Sequence, residues 1–338
     1  MTEDANRNAL FQQELVFYGE SEFSQTTTEG DVFNCFRLIL GRLPKREEWT
    51  GHSMAAGREL ESVVKPFLNS LEFANRGMMQ EEASGDIELV TLDGFSIYVS
   101  PRDLAVGAVI RESRNYEPYI SDEFRKVLGP GMTVLDIGAN IGFYTLLAAS
   151  IIGPNGCCLA IEPNVRNVKL LAASKATNGF ESIRIYQGAA TKEWGLLYLN
   201  TSHSNGVVSP ATGKLGELMS RETVMGMKLD DLLASCERLD VIKIDVEGAE
   251  YLALSGAIAA IEKSRPIVFS EFSPPAMPQI SGVQPEEYLD LFLKRGYSIS
   301  ILDKDARVSC GSDKSKIMNL FRASGTDHID FVAVPGSR

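Results

Sequence analysis

The chain has 338 residues, 44% of them hydrophobic and 23% charged, enough for one sizeable core and a small extra domain. A formal net charge of −12 argues against a nucleic-acid duplex or an anionic membrane as main partner. Cys35, Cys157, Cys158, Cys236 and Cys310 are odd in number and form no C-x-x-C pair, so they read as reduced thiols of a cytoplasmic protein.

In chain order, the start "MTEDANRNAL" is polar, without a secretion signal. Residues 1–30 have the composition of a flexible arm. "DVFNCFRLILGRLPKREEW" then places Phe33, Phe36, Leu38, Ile39 and Leu40 on roughly one helical face and breaks at Gly41 and Pro44. "ELESVVKPFLNSLEFANR" reads as a second helical stretch, interrupted at Pro66. These form a small helical domain over 31–80, with "EEASGD" as linker to a main domain over 86–338. No apolar run approaches the roughly 20 residues that span a bilayer.

"IELVTLDGFSIYVS" is a hairpin by pattern, with Asp93-Gly94 suited to the positive φ values of a type I′ turn. "EPYISDEFRKVL" is an amphipathic helix stopped by the glycines at 129 and 131. From Thr133 strands and helices alternate, with strands at 133–137, 157–162, 182–187, 240–245 and 266–271. Such alternation means an α/β fold with parallel strands and right-handed crossovers. Between 187 and 240 an insert contains a strand in "WGLLYLN", a turn in "TSHSNG" and a short helix in "KLDDLLASC". A helix at 284–295 and the strands "YSISIL" and "HIDFVAVP" close the chain, the last pair antiparallel and joined without an obvious long helix.

Ligands of such sheets bind beyond the carboxyl ends of the strands. The turn after strand 133–137 lies there, in "VLDIGANIGFYTL". Gly138 and Gly142 permit a tight bend and the approach of a ligand, and the helix from about Ile141 offers free backbone N–H groups. A dinucleotide fingerprint would need glycines at 138, 140 and 143, but Asn140 and Phe143 stand there, so NAD and FAD are disfavoured. Asp136 would repel a phosphate and suits a cation. S-adenosylmethionine, a sulfonium with an α-ammonium and no phosphate, fits. Glu162, ending the second strand, is placed to accept both ribose hydroxyls.

"LGPGMTVLDIGANIGFYTLLAASIIGPNGCCLAIEPN" together with "LDVIKIDVEGAEYLALSGA" resembles the FkbM-type S-adenosylmethionine-dependent methyltransferases, over about 110–335. The resemblance implies a class I methyltransferase, Rossmann-like sheet of seven strands with the seventh antiparallel. It implies methyl transfer to a hydroxyl of a glycan or secondary metabolite. Segment 31–80, above all "FLNSLEFANR", looks like a small helical domain of bacterial surface and glycan-related proteins. The expected cofactor contacts are Glu117, Asp136, Gly138, Ala139, Asn140, Gly142, Glu162 and Pro163, with Gly188 and Ala189 after the third strand.

A hydroxyl must lose its proton to accept a methyl group, so a base or a metal is needed at the cleft. Asp245, Glu247 and His203 are the catalytic candidates, with Glu250 and Glu271 behind them. Asp245 also suits a helix cap. Acids at 245, 247 and 250 are compatible with Mg²⁺, but the spacing is not diagnostic, no metal is expected, and the scattered histidines exclude a zinc set. N- or C-methyl transfer and a non-catalytic cofactor-binding scaffold are the alternatives. The acceptor's identity and the oligomeric state, a homo-oligomer included, stay open.

Overall fold

A computed structural model describes residues 25–75, 86–202, 205–304 and 307–336. The chain divides into two compact units at Ala83–Ser84.

The helical unit starts before Asp31. Thr28 caps the helix Glu29–Asn34, its hydroxyl accepting the Asp31 N–H at 3.2 Å while the Asp31 carboxylate accepts the Thr28 N–H at 2.8 Å. Backbone bonds tie Gln25 and Thr27 to Gly57, Arg58 and Leu60, so residues 25–30 belong to this unit. The buried stripe is Val32, Cys35, Phe36 and Leu40, whereas Phe33 and Leu38 are exposed at 37% and 64%. The apolar face is therefore the i, i+3, i+4, i+8 series from Val32, which keeps Phe36 and Leu40 of the expected face but not Phe33 or Leu38. The helix Leu60–Leu68 runs through Pro66 and is not interrupted there. Pro66 sits in its last turn, and Val63 and Phe67 on the same face bury into the unit. The linker "EEASGD" lies almost wholly outside the described residues.

The second unit begins with a hairpin, β1 (Glu88–Thr91) and β2 (Ser96–Val99). Of the two turn residues only Gly94 has positive φ (+91°), so the turn is not type I′, which needs both. Then follow β3 (Thr133–Ile137), β4 (Cys157–Glu162) and β5 (Ile183–Gln187), each after a helix. The insert holds β6 (Ala189–Thr191), β7 (Gly195–Ser202), β8 (Asn205–Pro210) and β9 (Glu222–Lys228), a sheet of its own in the order β6-β9-β7-β8. The main sheet resumes with β10 (Val241–Ile244), β11 (Ile267–Phe272), β12 (Tyr297–Leu302), β13 (Arg307–Gly311) and β14 (Ile329–Pro335).

The main sheet runs β13-β12-β14-β11-β10-β3-β4-β5, eight strands rather than seven. β14 is antiparallel to both β11 and β12, as a last strand of this fold should be. The eighth, β13, hangs on the β12 edge, and β13 with the helix Lys314–Ser324 fills the connection expected to lack a long helix. Helices cover both faces, as parallel strands require. On one face lie Leu135, Ile242, Phe272 and Phe331; on the other lie Val134, Ala160, Phe269 and Phe124. Among the described residues no helix is long and apolar enough to cross a membrane.

Phe331 is fully buried, its ring 5.4 Å from that of Phe292, 6.1 Å from Tyr288 and 6.2 Å from Phe272. Phe331→Ala is expected to cost about 3–5 kcal/mol, the size of a large aromatic cavity. Urea unfolding measures it, and a loss under about 1 kcal/mol would show that β14 is not locked by this cluster.

Candidate active site

β3 and β10 are parallel neighbours, and the loops leaving them run side by side. Asp245 N donates to the Ile137 carbonyl at 3.0 Å, and a Cβ on Gly138 would lie 1.9 Å from the Asp245 carbonyl oxygen. A Cβ on Gly142 would lie 2.3 Å from Leu171 Cδ1, and both glycines have positive φ. The glycines are thus demanded by the protein's own packing.

The backbone N–H groups of the turn are also committed. Those of Gly138 and Ala139 donate to the Ile161 carbonyl at 2.9 and 3.0 Å, and that of Gly142 to the Ala139 carbonyl at 2.9 Å. Asn140 N donates to Glu162 Oε2 at 2.8 Å, and Ile141 N to Asn140 Oδ1 at 2.7 Å. The turn itself, from Gly138 to Gly142, therefore offers no nest for a phosphate.

A cavity of about 370 Å³ opens beside it, within the roughly 300–1,000 Å³ of small-molecule sites. Glu117, Asp136, Gly138, Ala139, Asn140, Glu162, Pro163, Asp245 and Glu247 line it, so these nine predicted residues converge. Gly142 stands behind the turn. Gly188 and Ala189 line a separate cavity of about 30 Å³ that shares Gly138 and Pro163. His203 lies outside the described residues.

The walls are acidic. Seven carboxyl side chains, one lysine and one histidine face the cavity. Glu162 accepts from Asn140 N, from Asn164 N at 2.8 Å and from Asn167 Nδ2 at 3.2 Å. A carboxylate has about four acceptor positions, so room is left for one further hydroxyl rather than the two expected. Burial pushes Glu162 up to about 7, against the pull of those N–H groups. Asp136, holding the Thr145 hydroxyl, is raised by burial to about 6. Glu117, its backbone at φ +44°, accepts the Tyr144 hydroxyl at 2.7 Å and is raised by burial.

Lys243, unremarked in the sequence, is the centre of this set. It is 2% exposed, its Nζ 3.3 Å from Asp245 Oδ2 and 5.0 Å from the Tyr144 ring centre. Burial alone would lower its pKa, but Asp245, Glu117, Asp330 and Asp136 outweigh that and keep it charged. Glu271, bonded by the Ser273 hydroxyl, is pushed up to about 11 by burial and then by Asp245 beside it. It is protonated at neutral pH and can donate a hydrogen bond.

Asp245 does not cap the following helix, Glu250–Ser255, whose N-cap is Ala249. Glu250 instead brackets the turn from inside, Oε1 accepting from Gly248 N at 3.0 Å and Val246 N at 3.2 Å, so it is structural and does not line the cavity. That bracket holds Glu247 at φ +55°, with its carboxyl raised by burial and then by Asp245. Among the described residues no group of three His, Cys, Asp or Glu side chains is arranged to hold a metal.

A sheet in this order, with its cavity at the carboxyl edge of β3, β4 and β10, has the class I, Rossmann-like methyltransferase fold. Residues 136–299 match the family model of the methyltransferase FkbM domain, and the chain is a methyltransferase. A comparison with curated proteins finds no match. Among solved structures, the chain is similar to the precorrin-6y C5,15-methyltransferase of Geobacter metallireducens (12% identity, 71% of this chain and 93% of that one, TM-score 0.38). It is similar to a methyltransferase FkbM of Methylobacillus flagellatus (14%, 68% and 60%, TM-score 0.37). It is also similar to the O-methyltransferase TomG of Streptomyces achromogenes, solved with its S-adenosylmethionine (13%, 64% and 78%, TM-score 0.38). At these scores the structural likenesses carry no argument about substrate.

Glu162 at about 7 makes the stability of the ligand-free protein pH-dependent. Its pKa is raised above the ordinary 4.5, so its contribution is fully present below that value and is lost as pH rises through 7. The loss amounts to up to about 3 kcal/mol. Thermal unfolding between pH 5 and 8 is expected to show Glu162→Gln losing less stability than wild type, and equal slopes would refute the raised carboxyl.

Proposed function

We propose that the chain binds S-adenosylmethionine in the acidic cavity and transfers its methyl group to a hydroxyl of a glycan or secondary metabolite. The observation that carries this reading is the combination of acidic walls with a glycine turn whose N–H groups are all spent inside the protein. Such a cavity repels phosphate and suits a cation. The one lysine is buried and engaged, so it supplies no phosphate site.

The residues present fit the cofactor. Glu162, with one acceptor position left, would hold a ribose hydroxyl, and Glu117 and Asp136 would face the α-ammonium. The cofactor supplies an electrophilic methyl carbon. The protein must hold the acceptor oxygen against that carbon and keep water out. Asp245, tethered to Lys243, can accept a hydrogen bond from an acceptor hydroxyl, and protonated Glu271 can donate one. Glu247 stands at the same edge, held by its turn. Val106, Tyr116 and Phe143 supply the apolar wall that excludes water.

Calorimetry is expected to show binding of S-adenosylmethionine and no competing affinity for NAD. Glu162→Ala should weaken binding by roughly 1.5–3 kcal/mol, the size of hydrogen bonds involving a charged group. Wild-type affinity in that variant, or tighter binding of NAD, would sink the assignment.

Asp245→Asn keeps the side chain's shape but removes the charge nearest a buried ammonium. It is expected to cost up to about 3 kcal/mol in stability. It should also lower transfer by roughly 10²-fold, read by mass spectrometry as a gain of about 14 daltons per methyl in extracts of glycans and metabolites. Normal transfer by a less stable variant would leave Asp245 as Lys243's counter-ion alone. A gain found on amines or carbons would shift the reaction to N- or C-methylation, and binding without any transfer would indicate a scaffold.

A further inference from the structure

β14 runs against its neighbours, so its amino end arrives at the edge where β3, β10 and β11 finish. Asp330 sits in register with Glu271 on one side and Leu302 on the other. The two residues before the strand, Asp327 and His328, thereby reach the cavity wall that Asp245 and Glu247 also line. Both lie beyond the 136–299 stretch that matches the family model. His328 Nδ1 is 2.8 Å from Asp327 Oδ1, and the His328 carbonyl accepts the Thr326 hydroxyl. A carboxylate at Nδ1 favours the tautomer with its proton there and leaves the Nε2 lone pair free.

Three other candidates for a base are committed. Asp245 holds Lys243, Glu117 holds the Tyr144 hydroxyl, and Glu271 already carries a proton. An imidazole is also the side chain whose proton exchange falls nearest neutral pH.

We propose, resting on the methyltransferase reading above, that His328 removes the acceptor's hydroxyl proton through Nε2, with Asp327 as its positioning residue. The O–H bond breaks and its proton goes to Nε2. The oxygen forms its bond to the methyl carbon as the carbon–sulfur bond breaks, the electron pair staying on sulfur, which loses its positive charge. His328, 42% exposed, then returns the proton to water.

The groups facing His328 set its pH range. Asp327 and Asp330 act from its own strand segment, Asp245 and Glu247 from the loop after β10, and Glu117 from the start of the helix Pro118–Val127, with Lys243 as the opposing cation. Burial alone would lower its pKa, but Asp327, Asp330 and Asp245 outweigh that and raise it above the ordinary 6.5. Basic His328, and with it transfer, therefore grows as pH rises through a point above 6.5.

The test has one arm that needs no acceptor. The chain has three histidines, so imidazole NMR signals are assignable by the one missing in His328→Gln. In the wild type with S-adenosylhomocysteine bound, His328 is expected to carry its proton on Nδ1, to titrate above 6.5, and to titrate lower in Asp327→Asn. A proton on Nε2, or a titration that Asp327→Asn leaves unmoved, would overturn the proposal. In the second arm, labelled S-adenosylmethionine and the glycan and metabolite extract are given to both forms across pH 6 to 9. His328→Gln is expected to transfer at least about 100-fold less and to lose the rising limb. Its S-adenosylhomocysteine affinity should stay within about twofold, which shows an intact fold. Transfer within about threefold of wild type, with the limb kept, overturns the role of His328 alone. A wild type that binds no S-adenosylhomocysteine overturns the functional reading and this proposal with it.

Discussion

The ammonium of Lys243 lies on the middle of the main sheet, shut away from water, and the carboxyl edge is arranged around its charge. A buried ammonium without partners is costly enough that it would give up its proton or unfold the strand that carries it. Asp136 from β3, Asp245 from the loop after β10, Glu117 from a helix start and Asp330 from β14 together make that charge tolerable. The dependence runs both ways. Glu117, Asp136 and Asp330 are all raised by burial, and Lys243 helps pull each of them back toward ionisation, behind the Thr145 hydroxyl in the case of Asp136. Four separate segments of chain are thereby bound to one point by charge.

This explains why the site can be acidic without falling apart. Carboxylates gathered in a low-dielectric cleft repel one another, and the protein meets the repulsion in two ways. One is the central cation. The other is protonation, seen in Glu271 at about 11. The same edge of a parallel sheet serves phosphate-binding proteins when the turn N–H groups point outward. Here the N–H of Asn140 is spent on Glu162, so the turn and the second strand's acid form one unit of opposite electrostatic sense.

Much of this was legible in the sequence, because strands buried on both faces announce themselves as apolar runs. β3, β4 and β12 fall on the residues read from pattern, and nine cofactor and catalytic candidates meet in one cavity. What was hidden is instructive. Lys243 stands between Ile242 and Ile244 and looks like a polar interruption of a core strand, since nothing local shows that three acids from distant segments join Asp245 around it. The insert reads as one strand, a loop and a helix, but it forms a four-stranded sheet, because β6 is only three residues long and β8 and β9 are interrupted by glycine and polar residues. His203, a catalytic candidate, lies outside the described residues, whereas His328 lines the cavity. The antiparallel last strand, itself expected, was the signal that residues just before "IDFVAVP" return to the edge where the others end.

β14 is also a wedge, following β11 and β12 along the chain and separating them in the sheet. Pairings between segments so distant along the chain form late, since loop closure must precede any gain from contact. While the polypeptide is still leaving the ribosome, the turn at Gly138 and the acid at Glu162 can already be in place. The wall bearing Asp327 and His328 cannot. The side bearing Asp327 and His328 thus comes later in synthesis than the wall bearing Gly138 and Glu162, and a nascent chain stopped before β14 possesses that wall alone. The wedge makes synthesis of β14 a condition for having a closed cavity.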